Sequence, residues 1–395
     1  MNKKQNLAIL ANPFVTSKGL AGGDLYYIEL ADYLAKTYQV SIILPQFAKV
    51  HWAGKKVKFL TLAPNIFDQS QMRIFLFAAY LIRSIQTYFL LKKFPQKTIV
   101  CSSSEFLPDI LPIFLSKIKG KNYFWVARFY HLVSLSNKNV NKLFNLISFL
   151  LQRLSIYMAI KKADLILIDN QKTATLFKAK GVKNNRLLTS GGSVDTKKIQ
   201  KSLINKNKYY DAVFAGRLDY VKGVFDLPDI WTKVVVTIPH ARLAIVGTAT
   251  TQNQKKLQKL IEENHIEKNV HLLGFLPHTG KNTIFDVFAR SKIFVSLTLE
   301  GGRDFALIEA MACSLPVVAY QQPFLTEGTI NQGFLFAEKG NKQKIAQLII
   351  YLLKNPKVRS LLSKKAATEV KKLDWQKTHA TLSNRLLQFK GLTWG

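Results

Sequence analysis

Residues 296–320, SLTLEGGRDFALIEAMACSLPVVAY, constrain the fold more than any other part of this chain. The short apolar, β-branched run 293–297 predicts a buried strand, and residues 317–320 predict the next. Between them Glu300, Gly301, Gly302, Arg303 and Asp304 make a loop, and good helix formers from Phe305 to about Cys313 predict a helix. Strand, Gly-rich loop, helix, strand is one βαβ unit. The loop therefore lies at the carboxyl end of a parallel strand, where open α/β sheets bind their ligands.

The chemistry of this unit follows from its residues. Gly301-Gly302 lets backbone approach a ligand closely, and the N–H groups of Phe305, Ala306 and Leu307 open the helix with partial positive charge, which suits an anion such as phosphate. Glu309 falls in a run otherwise apolar from Phe305 to Ala312. On the helix's solvated face it would be unremarkable; buried, it needs a hydrogen-bonding partner, because an isolated buried carboxylate is very costly.

The stretch LEGGRDFALIEAMACSLPVVA resembles the donor-site signature of glycosyltransferase family 4, retaining enzymes of the GT-B fold, in which an acidic residue, seven others and a Glu precede Ala-Met-Ala and Pro-Val-Val-Ala. The resemblance implies that Glu309 holds the ribose of a nucleotide, that the amides of Phe305, Ala306 and Leu307 hold its diphosphate or the sugar, and that Glu300 contacts the sugar. Eight residues, not seven, separate Glu300 from Glu309, so Glu300 reaches the sugar only if the loop bulges by one residue. Ser314 stands where the family usually has Gly, in a turn.

A chain of 395 residues is too long for one core, and two domains are expected: 1–205, 206–375, and a final helix at 376–395 crossing back to the first. Cys101 and Cys313 sit in apolar contexts and form neither a disulfide framework nor a metal cluster, which suits a reducing compartment. The start, MNKKQNLAILANP, has charge, a short apolar run and no small-residue cleavage site, so no signal peptide is expected. The net charge of +33 is uneven: 30 Lys and Arg face 9 acids up to Asn205, against 27 and 15 beyond it. No RNA-binding sheet, zinc spacing or helix-turn-helix pattern accompanies that charge, so an anionic membrane surface is the better partner and nucleic acid is not expected. A generally Lys-rich surface is the plain alternative.

In chain order, strand 7–10, the Gly-rich loop 18–24, an amphipathic helix 25–36 and strand 40–44 form the first βα unit. Gly22 and Gly23 there suit either an anion or close helix packing; the family resemblance implies a loop facing donor phosphate and acceptor. Residues 74–91 and 143–160 are strongly apolar, yet Arg83, Gln86, Asn145, Gln152 and Arg153 interrupt them, and neither has an unbroken apolar run long enough to span a bilayer. Each is either an interfacial amphipathic helix or an ordinary helix on a Rossmann sheet. Strands are expected at 98–102 and 123–127, the second followed by Arg128 and His131, and the resemblance implies that His131 contacts the donor sugar. Gly191 and Gly192 fit a turn leading to an interdomain hinge.

The polar, basic stretch 197–209 reads as the linker. Strand 211–215 then runs into GRLDYVKG, where Gly216 and Gly223 flank Arg217 and Lys222, a bidentate fork and a point charge for two phosphates. Strands 242–246 and 270–273 with a helix at 252–264 repeat the βα rhythm. By resemblance, the loop 274–280 supplies backbone contacts to the base. Helices are expected at 341–353 and 358–372.

These features predict an α/β chain of two Rossmann-like parallel-sheet domains facing across a cleft, a GT-B glycosyltransferase moving a sugar from a nucleotide-diphosphate donor to a saccharide or glycolipid acceptor. Candidate catalytic residues are His131, Arg217, Lys222 and Glu300, and donor contacts are Gly22, Gly23, Gly216, Arg217, Lys222, Phe305, Ala306, Leu307 and Glu309. No cofactor or metal is expected, since the chain lacks an Asp-X-Asp motif. The expected place is cytoplasmic, or peripheral on the inner face of the membrane. A catalytically weakened sugar-nucleotide binder would share the fold, and a basic nucleic-acid-binding protein is supported by charge alone.

Overall fold

The computed structural model describes residues 4–15, 22–52, 54–55, 57–68, 70, 73–130, 132–133, 135, 142–190, 193–202, 207–278, 280–299, 304–326 and 330–393. The chain divides into two units, Met1–Gly192 with Thr378–Gly395, and Ser193–Lys377.

The first unit alternates strand and helix: β1 (Asn6–Leu10), α1 (Gly22–Ala35), β2 (Gln39–Pro45), β3 (Lys58–Leu62), α2 (Arg73–Lys92), β4 (Ile99–Ser102), α3 (Leu107–Ile118), β5 (Phe124–Phe129), α4 (Lys142–Lys162), β6 (Leu165–Ile168), α5 (Gln171–Ala179) and β7 (Leu187–Thr189). The strands form one parallel sheet in the order β3-β2-β1-β4-β5-β6-β7. Central strands such as IVCS, FWVARF and LILI are buried along their whole length, as a sheet covered on both faces requires. Leu7 and Ile9 point into one core with Tyr26, Leu30 and Leu34 of α1. Ala8 and Leu10 point into the other with Ile113, Ile156 and Phe177 of α3, α4 and α5.

The second unit comprises α6 (Thr196–Ser202), β8 (Tyr210–Ala215), α7 (Leu227–Thr237), β9 (Leu243–Val246), α8 (Thr251–Glu263), β10 (Val270–Gly274), α9 (Ile284–Ala289), β11 (Ser291–Ser296), α10 (Phe305–Ala312), β12 (Val317–Tyr320), α11 (Pro323–Thr326), β13 (Phe334–Ala337), α12 (Lys342–Lys354) and α13 (Pro356–Glu369). Its parallel sheet runs β10-β9-β8-β11-β12-β13, so chain order reverses between β8 and β11. A last helix, α14 (Trp375–Thr393), starts in the second unit, and from Thr378 onward it counts with the first, where Leu382 and Leu386 are buried beside α1.

Two local readings change. The stretch read as linker, 197–209, begins as helix α6, whose Ile199 is buried in the second core. That segment is stitched to the second unit: Val194 donates to the carbonyl of Leu373 at 3.1 Å, Trp375 donates back to Val194 at 3.0 Å, and Thr196 bonds Asp374. The division therefore falls near Ser193, upstream of 205. Gly22 and Gly23, read as loop, open helix α1. A Cβ on Gly23 would meet the Tyr130 ring at 2.7 Å, and the Tyr130 hydroxyl donates to the Gly23 carbonyl at 3.3 Å. Close packing accounts for this glycine.

Candidate functional site

In the second unit, the candidate residues gather at the carboxyl ends of β8 and β11, the switch point of the sheet. After β8, Gly216 turns the chain at φ +151°, and Asp219 caps a short 3-10 turn by accepting from the Lys222 amide at 3.1 Å. Gly223 ends that turn at φ +69°, and a Cβ there would sit 2.1 Å from the Leu297 carbonyl oxygen. Only glycine permits so close an approach in a left-handed conformation. The Leu299 amide then donates to the Val221 carbonyl at 2.9 Å. The turn after β8 and the loop after β11 are thus tied edge to edge.

This places the Lys222 ammonium 3.2 Å from Oδ1 of Asp304. Asp304 is buried, and its Oδ2 accepts from Ser296 at 2.7 Å and Thr298 at 2.9 Å. Burial alone would raise this carboxyl; the Lys222 charge and the two hydroxyls outweigh it and hold Asp304 below the usual carboxylate range. Asp304 is also the N-cap residue of α10, yet its side chain makes no capping bond. The opening amides of α10, Phe305, Ala306 and Leu307, keep their donors and the helix's partial positive charge for another acceptor.

One turn on, Glu309 is buried, and its Oε1 lies 3.0 Å from Nε2 of His278, in the loop after β10. The His278 ring stands edge-on to Phe285 with centroids 5.6 Å apart. Burial would lower the imidazole, but the Glu309 charge and hydrogen bond more than reverse that, against the opposing charge of Lys198, so His278 titrates above its ordinary range. Arg217 is 67% exposed, with Asp219 at 3.5 Å. It is an exposed cation on the turn that carries Lys222 rather than part of the buried frame.

Gly216, Lys222, the amides of Phe305 to Leu307 and Glu309 therefore share one strand-end region, whereas Gly22 and Gly23 belong to the first unit. His131, Glu300, Gly191 and Gly192 lie outside the described residues. Sequence reasoning missed Asp304 and His278. An acid at the residue before a helix was a usable signal for the first; His278, in a loop of no periodicity, gave none. Among the described residues, no group of three or more His, Cys, Asp or Glu is placed to hold a metal.

The first unit has its own polar cluster at the ends of β1 and β4. Asp109 accepts from the Asn12 amide at 3.0 Å and from Ser103 and Ser104 at 3.0 and 2.8 Å. Complete burial nevertheless pushes its carboxyl up to about 7.

A family model described as glycosyl transferases group 1 matches residues 195–369. Poly(glycerol-phosphate) alpha-glucosyltransferase of Bacillus subtilis is 26% identical over 159 residues, covering 40% of this chain and 23% of that protein. An uncharacterized glycosyltransferase of Haemophilus influenzae is 26% identical over 55% of this chain and 59% of its own. The chain thus spans less than two thirds of the length of these curated relatives. Sucrose-phosphate synthase from Thermosynechococcus elongatus superposes with a TM-score of 0.77 at 15% identity, over 99% of this chain and 100% of that one. The two parallel-sheet units have the fold of GT-B glycosyltransferase structures, and residues 195–369, which carry the Lys222–Asp304 and His278–Glu309 pairs, are a glycosyl transferases group 1 domain.

Proposed function

We propose that this chain is a retaining glycosyltransferase of family 4 type that moves a sugar, a hexose or its derivative, from a nucleoside diphosphate to an acceptor hydroxyl on a surface polysaccharide or glycolipid. The observation that carries this reading is the juxtaposition of Lys222 with the open N-terminus of α10 at the switch point of the second sheet. Fixed positive charge there matches a diphosphate. The curated relative named a glucosyltransferase, and the Anabaena protein HepE solved with UDP and glucose, at a TM-score of 0.74 and 16% identity over 97% of this chain and 100% of that one, support the reading by likeness.

In this mechanism the bond from the anomeric carbon to the diphosphate oxygen breaks with its electron pair leaving on the diphosphate. Lys222, the α10 amides and Arg217 meet the charge as it develops, which favours the transition state over bound donor. Asp304 fixes the Lys222 stem while leaving ammonium protons for the ligand. Glu309, oriented by His278, accepts from the ribose hydroxyls. The acceptor oxygen attacks from the face the diphosphate leaves, and its proton passes to the departing phosphate oxygen; no carboxylate nucleophile or metal ion takes part. Glu300 is assigned to the donor sugar.

Thermal melts with UDP, GDP, ADP and a nucleoside monophosphate, on the parent chain and on Glu309→Ala, test the reading. A ligand at ~100 times its Kd adds about 2.7 kcal/mol, a shift of a few degrees at this size. A shift with one diphosphate, UDP first in line, that vanishes in Glu309→Ala supports it. No shift with any nucleotide sinks it. A shift without transfer of radiolabelled sugar to any acceptor or water would leave a sugar-nucleotide binder.

A further inference from the structure

Helices α2 and α4 anchor Leu91, Ile156 and Met158 in the core, yet each also buries polar side chains while exposing apolar ones. On α2, Arg83, Ser84 and Thr87 are buried, while Leu81, Ile85 and Phe89, at one-turn spacing, are 51%, 52% and 57% exposed. On α4, Asn145, Gln152 and Ser155 are buried, while Leu143, Leu146, Leu150, Leu154 and Tyr157 form an exposed stripe. A helix on a sheet in water carries the opposite pattern. The two largest of the buried polar side chains are satisfied within the unit: Arg83 reaches Asp68 at 2.5 Å and the carbonyls of Asn12 and Phe14 at 2.8 Å, and Gln152 accepts from the Val133 amide at 2.8 Å. The leucines have no such inner role.

The exposed stripes share one layer. α3 packs against both α2 and α4, adding exposed Leu115 and Ile118, and Phe77 of α2 meets Phe144 of α4 with ring centroids 5.1 Å apart. Residues 74–92 and 142–162 are long and apolar enough to cross a membrane, with 33% of each window buried. Crossing would tear α2 and α4 from the strands they connect, so this face can only lie along a surface.

Charge names that surface. The three helices contain a single acid, Asp109, which is fully buried. Lysines cluster where the helices end: Lys121 donates to the carbonyls of Lys92 and Phe94 at 3.1 Å, and Lys117, Lys161, Lys162 and Arg186 line one pocket of about 390 Å³ with Asp164, which pairs with Lys117 at 2.6 Å. Lys92 stands 5.0 Å over the Phe89 ring and Lys161 5.9 Å over Tyr157, ammonium groups rising from the rim of the apolar face. A second copy would bring the same basic rim, on a chain of net charge +33, toward its like.

We propose that the outward face of the α2–α3–α4 layer lies in the interface of an anionic lipid bilayer, with its leucines and Phe89 at the acyl boundary and the helix-end lysines against lipid phosphates. This surface is independent of the nucleotide reading and goes beyond it.

Co-sedimentation of the full chain with vesicles of phosphatidylcholine, alone or mixed with phosphatidylglycerol, tests it. The expected result is binding to the mixed vesicles that weakens with salt, falls roughly tenfold or more in Ile85→Glu/Leu150→Glu, and falls similarly in Lys161→Glu/Lys162→Glu. Unchanged melting temperatures and nucleotide-induced melt shifts in both variants separate this outcome from misfolding and from failure of the donor-site reading. Binding to neither vesicle overturns the proposal. So does binding that Ile85→Glu/Leu150→Glu leaves intact, which would reduce the face to electrostatics. A vesicle-independent dimer that Ile85→Glu/Leu150→Glu splits would assign the face to a second copy instead.

Discussion

Oε1 of Glu309 accepts a hydrogen bond from Nε2 of His278 at 3.0 Å. The carboxylate that an apolar run forces inward and the histidine from the loop after β10 answer each other. Because the folded His278 titrates above its unfolded value of about 6.5, the pair's contribution to stability is fully present below that pH and is lost as pH rises through the folded midpoint. His278 is 37% exposed, so solvent screens the effect. A proton NMR titration should give His278 a midpoint above about 6.5 in the parent chain and at or below it in Glu309→Gln. Equal midpoints in the two proteins would remove Glu309 as the cause.

The Lys222–Asp304 pair has a different signature. Asp304 is held below its unfolded value, so its contribution is present above about 3.8 and disappears as pH falls through the folded value. Lys222→Met strips the cation from a buried carboxylate while the Ser296 and Thr298 hydroxyls remain. The expected cost at neutral pH is about 1–3 kcal/mol, shrinking toward acid, with sugar transfer down ~100-fold or more. Urea melts at neutral and acid pH check the first part. Full transfer activity in Lys222→Met would detach this lysine from the diphosphate.

Arg83 was met in the sequence as an interruption of an apolar helix; in the fold it clamps that helix to the end of β1. Its guanidinium serves Asp68 and the carbonyls of Asn12 and Phe14, and its side chain is 1% exposed. Arg83→Met leaves Asp68 with its Asn65 hydrogen bonds but no counter-charge, and takes the guanidinium donor from two buried carbonyls; the expected loss is about 3–5 kcal/mol by urea unfolding. A loss under about 1 kcal/mol would mean that Asp68 rotates out to water.

These cases mark what a single sequence can disclose. The βαβ unit at 296–320 and the GRLDYVKG turn were legible because buried parallel strands read as unbroken apolar runs, and the residues after them are fixed by the sheet. Gly223 was legible as a glycine, but its reason, a 2.1 Å conflict with the Leu297 carbonyl, exists only once β8 and β11 are neighbours. Asp304 and His278 escaped for the same cause: their partners, Lys222 and Glu309, stand 82 and 31 residues away in the chain. The exposed apolar faces of α2 and α4 escaped because periodicity reveals an apolar stripe without saying which side meets the sheet. α6 was read as linker because one buried Ile199 leaves no period to find.

Ser314 offers the last test, since the turn after α10 holds it at φ +60°. The helix ends at Cys313, whose amide donates to Glu309, and the chain must reverse at once so that the Leu315 amide can return to the carbonyl of Ala310 at 2.9 Å. That is a helix-terminating turn in which the residue after the cap goes left-handed, the position where glycine carries no steric penalty. Serine there costs about 1–2 kcal/mol of backbone strain, part of which glycine would give back as unfolded-chain entropy. Ser314→Gly should therefore stabilise the second unit by up to about 1 kcal/mol, a few degrees in the melt, because the hydrogen bond from Ser363 goes to the Ser314 backbone carbonyl and survives the change. The same turn carries α10 back toward β12, so the Glu309 backbone should not move, and nucleotide-induced melt shifts should match the parent's. A Ser314→Gly protein that melts lower would show that the serine side chain, and not the backbone, holds this turn.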